Sequence, residues 1–142
     1  MKTPRSSADQ QQTQPRTLKY VSWGLRLLAA VVFLAAAAAK LSGAPEMVQA
    51  FDHIGVGQWF RVVTGLVEVA GGIAVLIPAT VFLGGLLLSA TMIGAVLAHS
   101  FVIEGSPVPA IVLLLVSAAI AWLHRPGRPA ASTGPSPVMP PA

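Results

Sequence analysis

Between Glu68 and Glu104 the chain carries no Asp, Glu, Lys or Arg. A charge-free stretch of that length, broken only by Pro78-Ala79-Thr80, is hard to place in a water-soluble domain. About a quarter of the residues in such a domain are charged, whereas here the share is 10%, with 54% hydrophobic residues. The mean hydropathy of +0.72 points the same way. The composition is that of a polytopic membrane protein, and 142 residues leave room for about four spans of ~20 residues each.

Glu68 lies inside an apolar run from Val62 to Ile77. A lone carboxylate at mid-bilayer costs roughly 3 kcal/mol, so it should face protein or trapped water rather than lipid. That makes Glu68 the first candidate for a site. The structural alternative is an ion pair with Arg61 or Arg26 that only fixes the packing.

The net charge of +4 would suit a nucleic-acid partner, but its placement does not. Lys2, Arg5, Arg16, Lys19 and Arg26 precede or open the first apolar run, Arg125 and Arg128 follow the last, and no basic patch is interleaved with aromatics. The pattern is the positive-inside signal of a membrane protein, and nucleic acid is excluded. Only Lys40 and Arg61 fall on the other side, so both termini are expected in the cytoplasm, with an even number of spans. The chain has no cysteine, which removes disulfide, thiolate and iron–sulfur chemistry from it acting alone.

The expected architecture is all-α: an integral membrane four-helix bundle with a short interfacial helix between the first two spans. Residues 1–19 read as a disordered cytoplasmic tail, 20–124 as the membrane domain and 125–142 as a second disordered, Pro-rich tail. The spans are expected at about 20–41, 59–77, 81–102 and 108–123. The first also fits a signal peptide, but the long polar tail before it and the spans after it favour an uncleaved anchor. Between the first two spans, Pro45 suits a helix start and Gly55 a helix end, while Met47, Phe51 and Ile54 form one apolar stripe.

At 100° per residue, Arg61, Thr64, Gly65, Gly71, Gly72 and Val75 share a side with Glu68. Val62, Val63, Leu66, Ala70, Ile73 and Ile77 take the opposite, lipid-facing side. Arg26, Phe33 and Lys40 recur every seven residues on one face of the first span, and Gly85, Leu88, Met92, Ala95 and His99 make a comparable face on the third. Helix rise puts Glu68 roughly 13 Å below the outer surface. The residues expected to gather in a polar pocket in the outer half are therefore Glu68, Arg61, Lys40, His99, Arg26 and Thr64. For Lys40 and Arg61 the simpler role is snorkelling to headgroups, for Arg26 a topology signal, and for His99 a solvated or hydrogen-bonded residue. No second ligand at helical spacing makes His99 a metal site, and no metal or catalytic residue is assigned.

Across residues 25–124 the chain resembles the DoxX family, and more closely its DoxX-like branch. The resemblance rests on an ordered set: Arg26, Phe33 and Lys40-Leu41, then Phe51-Asp52-His53-Ile54-Gly55, then Trp59, Arg61, Gly65, Glu68 and Gly71-Gly72, and finally Ala90-Thr91-Met92, Gly94-Ala95 and His99. It implies a four-helix protein of the bacterial plasma membrane. Some relatives are membrane subunits of oxidoreductases that pass electrons to quinone. By that analogy the chain is a non-catalytic subunit, or a binder of quinone or another small lipophilic ligand, in a redox or stress-response system. Its partners would be the lipid bilayer and a redox-enzyme subunit, with a homo-oligomer left open. Two alternatives stand beside it: a small proton-coupled transporter using Glu68, and a structural assembly protein without a ligand. No nucleophile–base set supports an enzyme acting alone.

Overall fold

The computed structural model describes residues 16–127; most of both expected tails lies outside them. Among the described residues the protein is all-helical, with five helices: α1 (Arg16–Ser42), α2 (Pro45–Ile54), α3 (Gln58–Ala74), α4 (Val81–Phe101) and α5 (Val108–Leu123). α1 begins four positions ahead of the apolar boundary expected at residue 20. No Gly or Pro separates Arg16 from Trp23, so nothing stops the helix from extending outward.

Two segments, Lys19–Ser42 and Val81–Phe101, are long and apolar enough to cross a bilayer. α5 is apolar but has 16 residues, and α3 has 17. At 1.5 Å per residue each measures about 25 Å, short of a ~30 Å hydrocarbon core. α3 stops at Ala74 because Pro78 disfavours helical backbone just before it. The chain then turns tightly through residues 75–80, where the Thr80 hydroxyl donates to the Ala74 carbonyl at 2.9 Å.

α2 starts with Pro45 in its first turn and ends at Gly55, whose φ of 76° lets its N–H return to the Phe51 and Asp52 carbonyls. It packs on α3 rather than lying free. Phe51 is buried edge-on against Phe60, with ring centroids 5.9 Å apart. The Gln58 amide donates to the Val48 carbonyl at 2.9 Å and to Asp52 Oδ1 at 2.6 Å.

α4 packs against α3 and α5, α3 against α1, and α1 also touches α5. Glycines permit these approaches. Gly71 faces Leu88, Gly72 faces Leu34, Gly84 faces the backbone of Ala74 and Val75, and Gly85 faces the backbone of α5 at Ala121. The contacts centre on Phe33, Val75, Leu88, Met92 and Ile120, all buried. The two-sided character of α3 is as its periodicity implies: Gly65, Glu68, Gly71, Gly72 and Val75 are buried, whereas Val62, Leu66, Ile73 and Ile77 are exposed.

Candidate functional site: a cavity with a buried ion pair

The polar centre lies between α1 and α3. Lys40 Nζ sits 2.9 Å from Glu68 Oε2 and donates a hydrogen bond to it. Glu68 is 1% exposed, whereas the Lys40 side chain retains 15%. Gly65 makes the pair reachable: a Cβ there would lie 3.3 Å from Lys40 Cβ and 3.0 Å from Leu41, so α1 and α3 meet closely one turn from the carboxylate.

Beside the pair lies a cavity of about 520 Å³, walled by α2, α3 and α4. Met47, Phe51 and Ile54 close it from α2, Phe60, Val63 and Val67 from α3, and Met92, Ala95 and Ala98 from α4. Its lining is overwhelmingly apolar. The polar side chains that reach it are Lys40, Thr64, Glu68, Thr91 and His99. Its size and its few polar groups are those of a small-molecule site. The Thr64 hydroxyl already donates to helical carbonyls at Phe60 and Arg61, so it offers a ligand lone pairs rather than a free proton. The buried Nδ1 of His99 has no hydrogen-bond partner.

Of the six residues expected to gather, Lys40, Glu68, Thr64 and His99 line the cavity, and Arg61 and Arg26 do not. Arg61 does not pair with Glu68, although it shares its helical face. Its guanidinium instead donates to the Lys40 carbonyl at the end of α1, while its Nε donates to Gln58 Oε1 at 2.6 Å. It thereby fixes the backbone from which Lys40 projects. Arg26 is held far from this site. It is 4% exposed and donates to the Val75 carbonyl at 2.5 Å and the Leu76 carbonyl at 2.7 Å, with its guanidinium 4.5 Å from the Trp23 ring centroid. The carbonyls of the turn between α3 and Pro78 are thus capped by a cation from α1.

Two groups of lining residues were not expected at the site. The α2 stripe of Met47, Phe51 and Ile54 reads in sequence as a membrane-surface face, and here it covers the cavity. Thr91, three residues past the buried Leu88 on α4, also lines the cavity; outside the Ala90-Thr91-Met92 run of the family resemblance, its only sequence mark is a hydroxyl in an apolar stretch. Among the described residues no three His, Asp or Glu side chains come together to hold a metal ion.

A family model described as the DoxX-like family matches residues 24–123. The chain belongs to that family. The match runs from Gly24, eight residues past the start of α1, through to the end of α5, so it contains the ion pair and every wall of the cavity. Together with the two bilayer-length apolar helices, it makes this DoxX-like chain a membrane protein. No curated protein and no solved structure matches it.

Proposed function

We propose that this DoxX-like protein is a four-span protein of the bacterial inner membrane, with both termini in the cytoplasm, that holds a small lipophilic molecule in the cavity beside Lys40 and Glu68. The observation that carries this reading is the cavity itself: about 520 Å³ of largely apolar space, with an ion pair and the side chain of His99 among its lining. A molecule of the quinone type suits it, since an apolar body would fill the walls while carbonyl oxygens accept from Lys40 or His99. The role is that of a non-catalytic membrane subunit or carrier site in a redox or stress-response system. α3 and α5 complete the four-helix bundle despite their length, because a short apolar helix is accommodated by local bilayer thinning and by packing against longer neighbours.

The transporter alternative uses Glu68 as a proton carrier. With Lys40 Nζ at 2.9 Å, that mechanism would have to break and remake a buried ion pair in every cycle. The ion pair therefore favours a binding site over a proton carrier.

Gly94 supplies the test. It lines the cavity, and a Cβ built on it meets nothing within 4 Å, so a larger side chain can enter without striking a neighbouring helix at its root. Equilibrium dialysis of decylubiquinone between nanodiscs with and without the protein should show binding above lipid partition. Gly94→Phe should weaken that binding at least tenfold while leaving the melting temperature in place. Unchanged binding by Gly94→Phe would place the ligand elsewhere.

A further inference from the structure

α1 starts and α5 ends at the same corner of the bundle. Ser22 Oγ and His124 Nε2 stand 3.3 Å apart there, and His124 Nδ1 lies 2.9 Å from the Ile120 carbonyl, so the ring is held between its own helix and α1. That contact gathers two exposed cations. Lys19 is three residues before Ser22, hence on the same side of α1 and one turn further out, and Arg125 follows His124 directly. Arg26, one turn inward from Ser22, adds a third charge, and it is buried.

Both arginines lie over tryptophan. The Arg125 guanidinium carbon is 3.9 Å from the Trp122 ring centroid, and that of Arg26 is 4.5 Å from the Trp23 centroid; both rings are exposed. Stacking uses the face of the Arg125 guanidinium and leaves the N–H groups at its edge to donate. Among the described residues no carboxylate at this corner offsets the charges. The acids there are Glu46 and Asp52 on α2, Glu68 within α3 and Glu104 in the α4–α5 turn. α2 and that turn stand at the opposite end of the bundle, beyond the far ends of α1 and α5. A topology signal needs basic residues on one side of the membrane, but it does not need them gathered at one helix junction beside exposed tryptophans.

We propose that this corner is a binding site for one anionic phospholipid. Lys19 and Arg125 take its phosphate, Trp23 and Trp122 sit at the level of its glycerol backbone, and an acyl chain follows the seam between α1 and α5. That seam suits a chain because α1 and α5 form the loosest neighbouring pair among the four long helices. The headgroup is anionic rather than zwitterionic: a choline would bring its own cation to a place with no acid to receive it, whereas a glycerol headgroup leaves the phosphate charge unopposed. None of these residues lines the cavity, so the lipid site stands apart from the ligand proposed there.

Tryptophan quenching by brominated lipids tests this in the full chain. The sequence has three tryptophans, so Trp59→Phe leaves only Trp23 and Trp122 to report. In phosphatidylcholine bilayers, phosphatidylglycerol with brominated chains should associate about twentyfold more tightly than brominated phosphatidylcholine, at about fivefold for each basic side chain. The preference should shrink in high salt. Lys19→Gln/Arg125→Gln changes two exposed side chains, and should bring the preference close to unity with the melting temperature unchanged. With Trp23→Phe/Trp122→Phe and Trp59 kept, the reporter sits at the acid-bearing end and should show no such preference. Excess soluble glycerol 1-phosphate should leave the quenching as it is. Equal quenching by the two lipids at Trp23 and Trp122, a preference that survives in the double variant or recurs at Trp59, or displacement by the soluble phosphate would each overturn the lipid site, and none of these results bears on the cavity.

Discussion

Lys40→Met is expected to destabilise the protein by about 3–5 kcal/mol, the usual cost of leaving one member of a buried pair alone. Glu68→Gln is expected to cost much less, about 1–2 kcal/mol, because the two partners are buried unequally. Glu68 is 1% exposed and has nowhere to take its charge, whereas Lys40, at the end of α1 and 15% exposed, can swing its ammonium outward. The Lys40→Met/Glu68→Gln double variant removes both charges together and should recover most of the loss seen in Lys40→Met. Denaturant melts in detergent would measure all three. Equal losses in the two single variants, with no recovery in the double, would mean that the pair is not the coupled unit described.

The second large effect concerns the crossing of α3 and α4. A Cβ on Gly84 would lie 2.8 Å from the Val75 backbone nitrogen and 2.9 Å from the Ala74 carbonyl carbon. Backbone cannot rotate away as a side-chain tip can, so Gly84→Ala forces the helices apart. A loss of about 2–3 kcal/mol is expected. The same change at Gly94, where the added Cβ meets nothing within 4 Å, should be neutral or slightly stabilising, since Ala is the better helix former. Gly72 is intermediate, because its neighbour Leu34 at 3.3 Å is a side chain that can shift. If Gly84→Ala and Gly94→Ala gave the same melting behaviour, the close approach at Gly84 would be refuted.

Which residues face inward was legible in the sequence, and which of them touch was not. Helical periodicity places Gly65, Glu68, Gly71 and Gly72 on one side of α3, and all four are buried. The same reading puts Arg61 beside Glu68, and their contact fails for a reason periodicity cannot carry. Lys40 comes from another helix, and the relative height of α1 and α3 is set by the close approach at Gly65 and by Arg61 clamping the Lys40 carbonyl. Arg26, expected in the pocket, was misplaced for a similar reason. The Val75 and Leu76 carbonyls that it takes lie in the turn between α3 and Pro78, and only the packing of α1 against that turn brings them together. α2 was legible in extent and amphipathicity, but its apolar stripe could face lipid or protein equally well. Gln58 and Phe60 decide that by fastening it to α3.

The proposed function requires a lipophilic molecule to occupy the cavity between α2, α3 and α4. Photolabelling tests it most directly. A decylquinone carrying a diazirine on its ring would be irradiated with the protein in nanodiscs, and the modified peptides located by mass spectrometry. Labels on Met47, Phe51, Val63, Thr64 or Ala95, suppressed by excess unlabelled quinone, are the predicted result. Labels confined to Leu28, Val31, Leu115 and other exposed side chains of α1 and α5, insensitive to competition, would contradict it.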